Sequence, residues 1–302
     1  MLVQAAALAA GDQQYPAPAL YVVATPIGNL ADLTLRALHV LALVDAIACE
    51  DTRHSARLLE HFGIAKPLIP AHEHNEREAA APILVRLARG ERVAYVSDAG
   101  TPAVSDPGAA LVAAVRHAGH RVVPIPGASS ALAALAVAGD ASTDGFAVVG
   151  FMPARGNDRT RALAQCAAAS TTQVLFEAPH RIESLAAALG KACPERNLTV
   201  CRELTKQFET VATMRSRELV AWLAADANRT RGEFVVVLHG VPRNEAVESV
   251  SAHDAILLPL IAALPLKQAV ALAAEIGGAP RNLLYARALA LKTAASPEGD
   301  AD

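Results

Sequence analysis

The chain has 302 residues, 53% of them apolar and only 4% aromatic, a net charge of −3 and four cysteines. That length spans two domains and a small third. The composition excludes a disordered chain, no uncharged apolar run reaches the roughly 18 residues of a membrane helix, and the charge does not by itself announce a nucleic-acid binder. Cys49, Cys166, Cys193 and Cys201 show no metal spacing and read as buried thiols of a reducing cytoplasm.

Residues 1–19 are apolar and alanine-rich, but the first basic residue is Arg36, so they read as a disordered extension and not as a signal peptide. Residues 20–139 read as a first α/β domain. Its apolar strands lie at 20–25, 46–50, 93–98 and 121–126. Helical patterns lie between them at 35–43 and 52–62, with Gly63 as a stop signal. Pro82 interrupts the pattern over 76–88 and predicts a kink or a late start. Continuous apolar strands alternating with helices predict a mostly parallel sheet covered on both faces. The stretch GDASTDG at 139–145 marks the boundary to a second α/β domain, 140–240. There strands are expected at 146–151, 173–178, 197–203 and 233–239, with a helix at 181–189. Residues 241–253 are polar and read as a linker.

Residues 254–293 form an all-helical pattern. Leu266, Val270 and Ala273 share one face, as do Leu284, Ala288 and Leu291, and Asn282 is placed to cap the second helix. With basic residues on it, this reads either as a small nucleic-acid-contacting domain or as a packing or oligomerisation appendage. The acidic end, 294–302, reads as a disordered tail.

In α/β sheets, ligands gather at the carboxyl ends of strands. Here those ends carry TPIGNLAD, EDTRHS, HEHNE, SDAGTP and PGASS, loops of glycine, proline and small polar residues. Such loops admit close backbone approach to a polar ligand. The loop SDAGTPAVSDPG at 97–108 has no phosphate-loop signature. Its second half is expected to open a helix, with Asp106 as N-cap and Pro107 at the first helical position. His72 and His74 could share a strand face, but no third ligand stands at a metal spacing, so no metal is expected. No G-x-S-x-G elbow occurs, which argues against a serine hydrolase.

Taken in order, TPIGNLAD, EDTRH, HEHNE, VSDAGTPAVSDPG, PIPGASSAL, FEAPHR and RELTK resemble the motif series of the tetrapyrrole methylase superfamily. TPIGNLAD, EDTRH and LPLKQAVALAAEIGG resemble more narrowly its ribosomal RNA branch, which methylates the ribose 2'-oxygen of a cytidine in 16S rRNA. The resemblance runs from about Leu20 to Lys292. It implies two α/β domains with S-adenosylmethionine in the cleft between them, a small C-terminal helical domain that contacts RNA, a homodimer, and a cytoplasmic enzyme. The implied substrate is a decoding-centre cytidine of 16S rRNA within the 30S subunit. A porphyrin or corrinoid methyltransferase, or a ribosome assembly factor without chemistry, are the alternatives.

Carried over by position, the resemblance places Pro26, Ile27, Gly28 and Asn29 on the first cofactor loop. Asp98, Ala99, Gly100, Thr101 and Pro102 fall on the loop that would cradle the methionine half, where porphyrin-methylating relatives carry Gly-Asp-Pro. Gly127, Ser129 and Ser130 fall on a third loop, and Phe176, Glu177, Gly232 and Glu233 would line the adenosine side. A 2'-hydroxyl is a weak nucleophile, so a base or an electrostatic partner is expected. Lys206, Asp51, Glu50 and His180 are the candidates; a buried lysine can act as a base with a lowered pKa. For Lys206 the alternative is a phosphate contact; for Glu50 and Asp51 it is a salt bridge to Arg53 or a helix cap. Arg53, His54, Arg155, Arg159, His180, Arg181 and Lys206 are the candidates for RNA contact, through phosphates.

Overall fold

The computed structural model describes residues 1–72, 76–105, 107–142, 145–241, 253–278 and 281–294. The HEHNE residues Glu73 and His74, the expected cap Asp106, most of the linker and the tail beyond 294 lie outside them. The chain divides into two compact units, Met1–Gly240 and Val241–Asp302.

The first unit begins with a helix, α1 (Leu2–Ala10), where the sequence predicts disorder. Alanine and leucine favour a helix, and the small Ala6 is fully buried in the same core as Leu38, Val40 and Leu41. The chain beyond α1 is fastened as well. Tyr15 stacks on His39, with ring centroids 4.8 Å apart, and Tyr21 donates to the Pro16 carbonyl at 2.7 Å.

The first sheet has five strands: β1 (Ala19–Val23), β2 (Ala46–Cys49), β3 (Leu68–Pro70), β4 (Arg92–Val96) and β5 (Arg121–Ile125). Their order is β3-β2-β4-β1-β5, and every pair is parallel. The expected strands are present, each ending slightly earlier because the polar residue at its carboxyl end already belongs to a loop. β3 is too short to stand out in the sequence. Both faces are covered. Tyr21 and Ile47 pack with α1 and α2 (Leu35–Leu43), whereas Leu20 and Tyr95 pack with α4 (Glu76–Ala88) and α5 (Ala109–His117). Helix α3 (Thr52–His61) follows β2. Helix α4 starts where the pattern starts and contains Pro82.

Helix α5 corrects an expectation. It starts at Ala109 with Gly108 as N-cap, so Pro107 stands outside it. Gly108 has φ +127°, and a Cβ there would sit 2.3 Å from the Tyr95 ring. The core aromatic therefore leaves room only for glycine at the entry to this helix.

The second sheet contains β6 (Phe146–Phe151), β7 (Thr172–Glu177), β8 (Asn197–Arg202), β9 (Thr210–Arg215) and β10 (Phe234–Leu238), ordered β6-β7-β10-β8-β9. Only β6 and β7 run parallel; the other pairs are antiparallel. Helices α7 (Gly156–Ala168), α8 (Ile182–Ala192) and α9 (Leu219–Ala224) cover one face. Helix α6 (Ser130–Ala138), which follows β5, covers the other, packing with Val174, Cys201 and Val237. It therefore ties the two sheets together.

The second unit holds α10 (Asp254–Ala263), α11 (Leu266–Gly277) and α12 (Arg281–Ala294) around Leu257, Val270, Ala273, Leu284 and Ala288. The two expected apolar faces meet in this core. Asn282 is not a cap, because α12 already begins at Arg281. Among the described residues no helix is long and apolar enough to cross a membrane.

Candidate active site

Three loops at the carboxyl edge of the first sheet are laced together. Thr25 N–H donates to the Gly100 carbonyl at 2.9 Å, and Gly100 N–H donates back to Thr25 at 3.1 Å. The Thr25 hydroxyl donates to the Ser97 carbonyl at 3.2 Å, and the Thr101 hydroxyl donates to the Ala128 carbonyl at 3.0 Å. Gly100, at φ +81°, must be glycine on conformational grounds. A Cβ on Gly127 would come within 3.0 Å of Ala24. These bonds revise the expectation for 98–102. The backbone groups of Gly100 are taken by Thr25, and the Asp98 carboxylate accepts the N–H of Asp51 at 3.1 Å. The loop thus presents the small side chains of Ala99 and Thr101. The exposed Asn29 caps a short 3-10 turn, accepting the Ala31 N–H at 3.1 Å.

The second sheet contributes charged side chains. Glu177 ends β7 with its carboxylate fully buried. Arg181 Nε lies 3.0 Å from Oε1 and Arg159 Nη1 lies 3.9 Å from Oε2. Arg181 also donates to the Met152 carbonyl, and Arg159 donates to the Pro153 carbonyl at 3.1 Å. Both arginines are therefore engaged in bracing the end of β6 against β7, and neither presents a free guanidinium to RNA. Phe151 and Phe176 meet edge-on at 5.7 Å.

Lys206 belongs to a three-residue ion cluster. Its Nζ donates to Glu203 at 2.9 Å and to Glu233 at 3.0 Å. Glu203 also accepts the N–H of Glu233 at 2.9 Å. Two glycines make room. A Cβ on Gly232 would fall 2.5 Å from the Glu203 carboxylate, and one on Gly28 would fall 2.6 Å from the Lys206 stem. Burial alone would lower the Lys206 pKa, but the hydrogen bonds it donates to Glu203 and Glu233 outweigh this and raise it above the ordinary value. The shift runs opposite to the lowered pKa expected of a lysine base. Asp51 caps α3 through Arg53 N–H at 2.8 Å and pairs with the Arg53 guanidinium at 2.8 Å. Those hydrogen bonds hold its carboxyl well below the usual range, which makes it a poor proton acceptor. Glu50 is half-buried just after β2.

A cavity of about 400 Å³ lies between these edges, within the range of small-molecule sites. Of the sixteen residues carried over to the cofactor, Ala99, Gly100, Thr101, Ser129, Ser130, Phe176, Glu177 and Glu233 line it. Pro26, Ile27, Gly28, Asn29, Asp98, Pro102, Gly127 and Gly232 stand behind or beside its wall. Val104, Phe151, Ala178 and Val235 line it unforeseen. Ala178 directly follows the FE of FEAPHR, so the motif held that signal; Phe151 and Val235 are placed only by strand pairing. Among the expected RNA contacts, Arg53, His54, Arg155 and His180 are exposed.

A parallel α/β sheet whose loops meet the edge of a mixed sheet around a ligand-sized cavity defines an α/β fold of two sheets with a site at their facing edges. Uroporphyrin-III-C-methyltransferase from Thermus thermophilus shares it, with a TM-score of 0.53 at 23% identity over 73% of this chain and 94% of that one. Diphthine synthase shares it at 0.55 and 17% identity, over 73% and 90%.

Residues 19–220 match the family of Tetrapyrrole (Corrin/Porphyrin) Methylases, and residues 247–292 match the RsmI C-terminal HTH domain. Ribosomal RNA small subunit methyltransferase I of Pseudomonas aeruginosa is 49% identical, covering 89% of this chain and 96% of that protein. Its counterpart in Haemophilus influenzae is 46% identical, over 90% and 96%. The chain belongs to the tetrapyrrole methylase family, in the group of the ribosomal RNA small subunit methyltransferases I.

Proposed function

We infer that this protein transfers a methyl group from S-adenosylmethionine to small-subunit ribosomal RNA, at the ribose 2'-oxygen of a decoding-centre cytidine on the 30S subunit. The observation that carries this reading is one chain with both the cleft cavity and the matched C-terminal HTH segment, nearly half identical to relatives bearing that enzyme's name. The 2'-oxygen and the cytidine rest on the motifs TPIGNLAD, EDTRH and LPLKQAVALAAEIGG.

The cavity suits this cofactor on its own chemistry. Phe151 and Phe176 offer an apolar wall for a purine, and Ser129 and Ser130 offer hydroxyls. Bound there, S-adenosylmethionine supplies an electrophilic methyl group. The protein's part is chiefly positioning, which suits an in-line displacement. Lys206, kept charged by Glu203 and Glu233, holds a phosphate or the negative charge growing on the attacking oxygen and does not remove its proton.

Exposed Phe146, Val149 and Phe151 on the edge strand β6 support a homodimer. A ribosomal substrate places the enzyme in the cytoplasm. The test supplies labelled S-adenosylmethionine and unmodified 30S subunits and locates the methyl group by nucleoside mass spectrometry. Label on the cytidine ribose is expected; label on a base overturns the 2'-oxygen. Lys206→Ala is expected to slow transfer roughly 100-fold with cofactor affinity unchanged. Full turnover by that variant would remove Lys206 from the reaction.

A further inference from the structure

The loop that joins β8 to β9, residues 203–209, stands at the edge of the site. β8 ends at Arg202, which pairs with Phe234, and Phe234 pairs in turn with Glu177 on the cavity wall. The loop carries Lys206, whose stem lies against Gly28 of the first sheet's first loop. Two positions further on is Phe208. It is 67% exposed, more than any other Phe, Tyr or Trp among the described residues. It belongs neither to the wall of the cofactor cavity nor to the cores on either face of the second sheet.

The ring is held out by a pinned loop. Arg202 Nη1 and the Thr210 hydroxyl donate to the Phe208 carbonyl at 3.2 and 3.3 Å. Arg202 is itself fixed, donating through Nε to the Arg231 carbonyl at 2.6 Å. Within the loop, Lys206 N–H donates to the Glu203 carbonyl at 3.0 Å and Glu209 N–H to the Lys206 carbonyl at 3.1 Å. The Glu209 carboxylate accepts the Thr205 N–H at 2.6 Å. Glu203 and Thr205 take φ +52° and +67°, a strained backbone that persists where its surroundings fix it and that gathers at functional sites. A lone exposed apolar side chain is ordinary on a protein surface. An aromatic ring raised by a strained, hydrogen-bonded loop beside a substrate site is not. Its chain neighbours Gln207 and Glu209 are exposed and polar, whereas Phe146, Val149 and Phe151 share one strand on β6. A single ring among polar groups suits a planar, polar-edged ligand better than the apolar centre of a protein interface.

We propose that Phe208 is a stacking platform for an unpaired base of the RNA strand beside the methylated nucleotide, an inference that rests on the RNA-methylating function. Unpaired RNA is recognised by stacking its bases on aromatic side chains. Every base has a π-face, so such a platform holds a strand with little regard to its sequence. The Lys206 ammonium, two residues away, supplies positive charge for a phosphate of the same strand. Because the loop is already ordered, little further ordering is needed when the base arrives. The ring acts on a neighbouring base and makes no demand on the base of the target nucleotide. Its contact is the same before and during methyl transfer, so it contributes to RNA binding and not to the chemical step.

The test measures methyl transfer to unmodified 30S subunits by Phe208→Ala, Phe208→Leu and Phe208→Trp. The alanine and leucine variants are expected to raise KM for the subunit roughly tenfold and to leave kcat unchanged. Leucine keeps the apolar bulk without a π-face, so it separates stacking from simple burial. Tryptophan is expected to keep KM at or below the wild-type value. Binding of S-adenosylhomocysteine by calorimetry, and the sedimentation coefficient, are expected to match the wild type in all three. A leucine variant with the wild-type KM overturns the assignment, and so does a tryptophan variant no better than leucine. A changed sedimentation coefficient places the ring at a subunit interface, and weakened S-adenosylhomocysteine binding places it in the cofactor site; either result overturns the assignment. A wild-type enzyme that transfers no methyl group to the RNA of the 30S subunit overturns the functional reading itself, and the stacking assignment with it.

Discussion

The two sheets contribute to the site by different means. In the first, all strands run parallel, so every carboxyl end reaches the same edge, and the loops there are small residues fixed by backbone bonds such as Thr25 to Gly100. In the second, β10 runs against β7 and β8, so Phe234 pairs with Glu177 and with Arg202 at the same edge. That edge collects side-chain charge: Glu177 with Arg181 and Arg159, and Glu203 and Glu233 with Lys206. One half shapes the cavity by leaving side chains out; the other supplies its electrostatics.

This contrast can be broken by substitution. The largest effect is expected in the charged half. Arg181→Ala leaves the buried Glu177 carboxylate with the Ala178 N–H at 3.0 Å and, as its only ion partner among the described residues, Arg159 at 3.9 Å, a loss of about 3–5 kcal/mol. Urea unfolding would read it, and adding Glu177→Gln should restore most of the loss. If the single variant unfolds like the wild type, the charges of this half are not structural.

The first half should respond to added atoms instead. Gly108→Ala puts a methyl group 2.3 Å from the Tyr95 ring at φ +127°, and is expected to cost about 2–3 kcal/mol in the same assay. A neutral result would show that this loop yields, contrary to the contrast drawn.

The smallest effect concerns the far edge of the second sheet. Burial pushes the Asp140 carboxyl up, but hydrogen bonds from Ser142, Thr172 and the N–H of Gly240 outweigh it, and its pKa falls to about 2. The folded value lies below the unfolded one, so the stabilisation is complete above about pH 4 and is lost as pH falls through about 2. Asp140→Asn should therefore cost about 2 kcal/mol at neutral pH and narrow its gap to the wild type in acid. A constant gap from pH 7 to pH 2 would contradict that origin.

The parallel half was the more legible. Its strands are short apolar runs, and the polar loops that end them are continuous in sequence, so TPIGN, SDAGTP and PGASS could be placed at one edge directly. The second half was not. The spacing between residues 203 and 233 left room for a helix, and α9 lies there, but the chain first turns back as β9, whose alternating TVATMR marks an edge strand with one exposed face. Arg159 and Arg181 read as solvent-facing RNA contacts because nothing local reveals a buried carboxylate beside them. Glu203 stands within RELTK with no role visible from that motif alone, since its partner Glu233 is 30 positions away.

By itself the sequence determined eight of the ten strands, the loops that close those of the first sheet and the family of methylases they match, because those properties reside in contiguous residues. Only the tertiary structure decided what the charged and polar side chains do. It set Lys206 between Glu203 and Glu233 and turned Arg159 and Arg181 into braces. The physical reason is that a side chain's protonation and partners depend on neighbours supplied by distant strands, and strand direction in a mixed sheet is not encoded in any one segment.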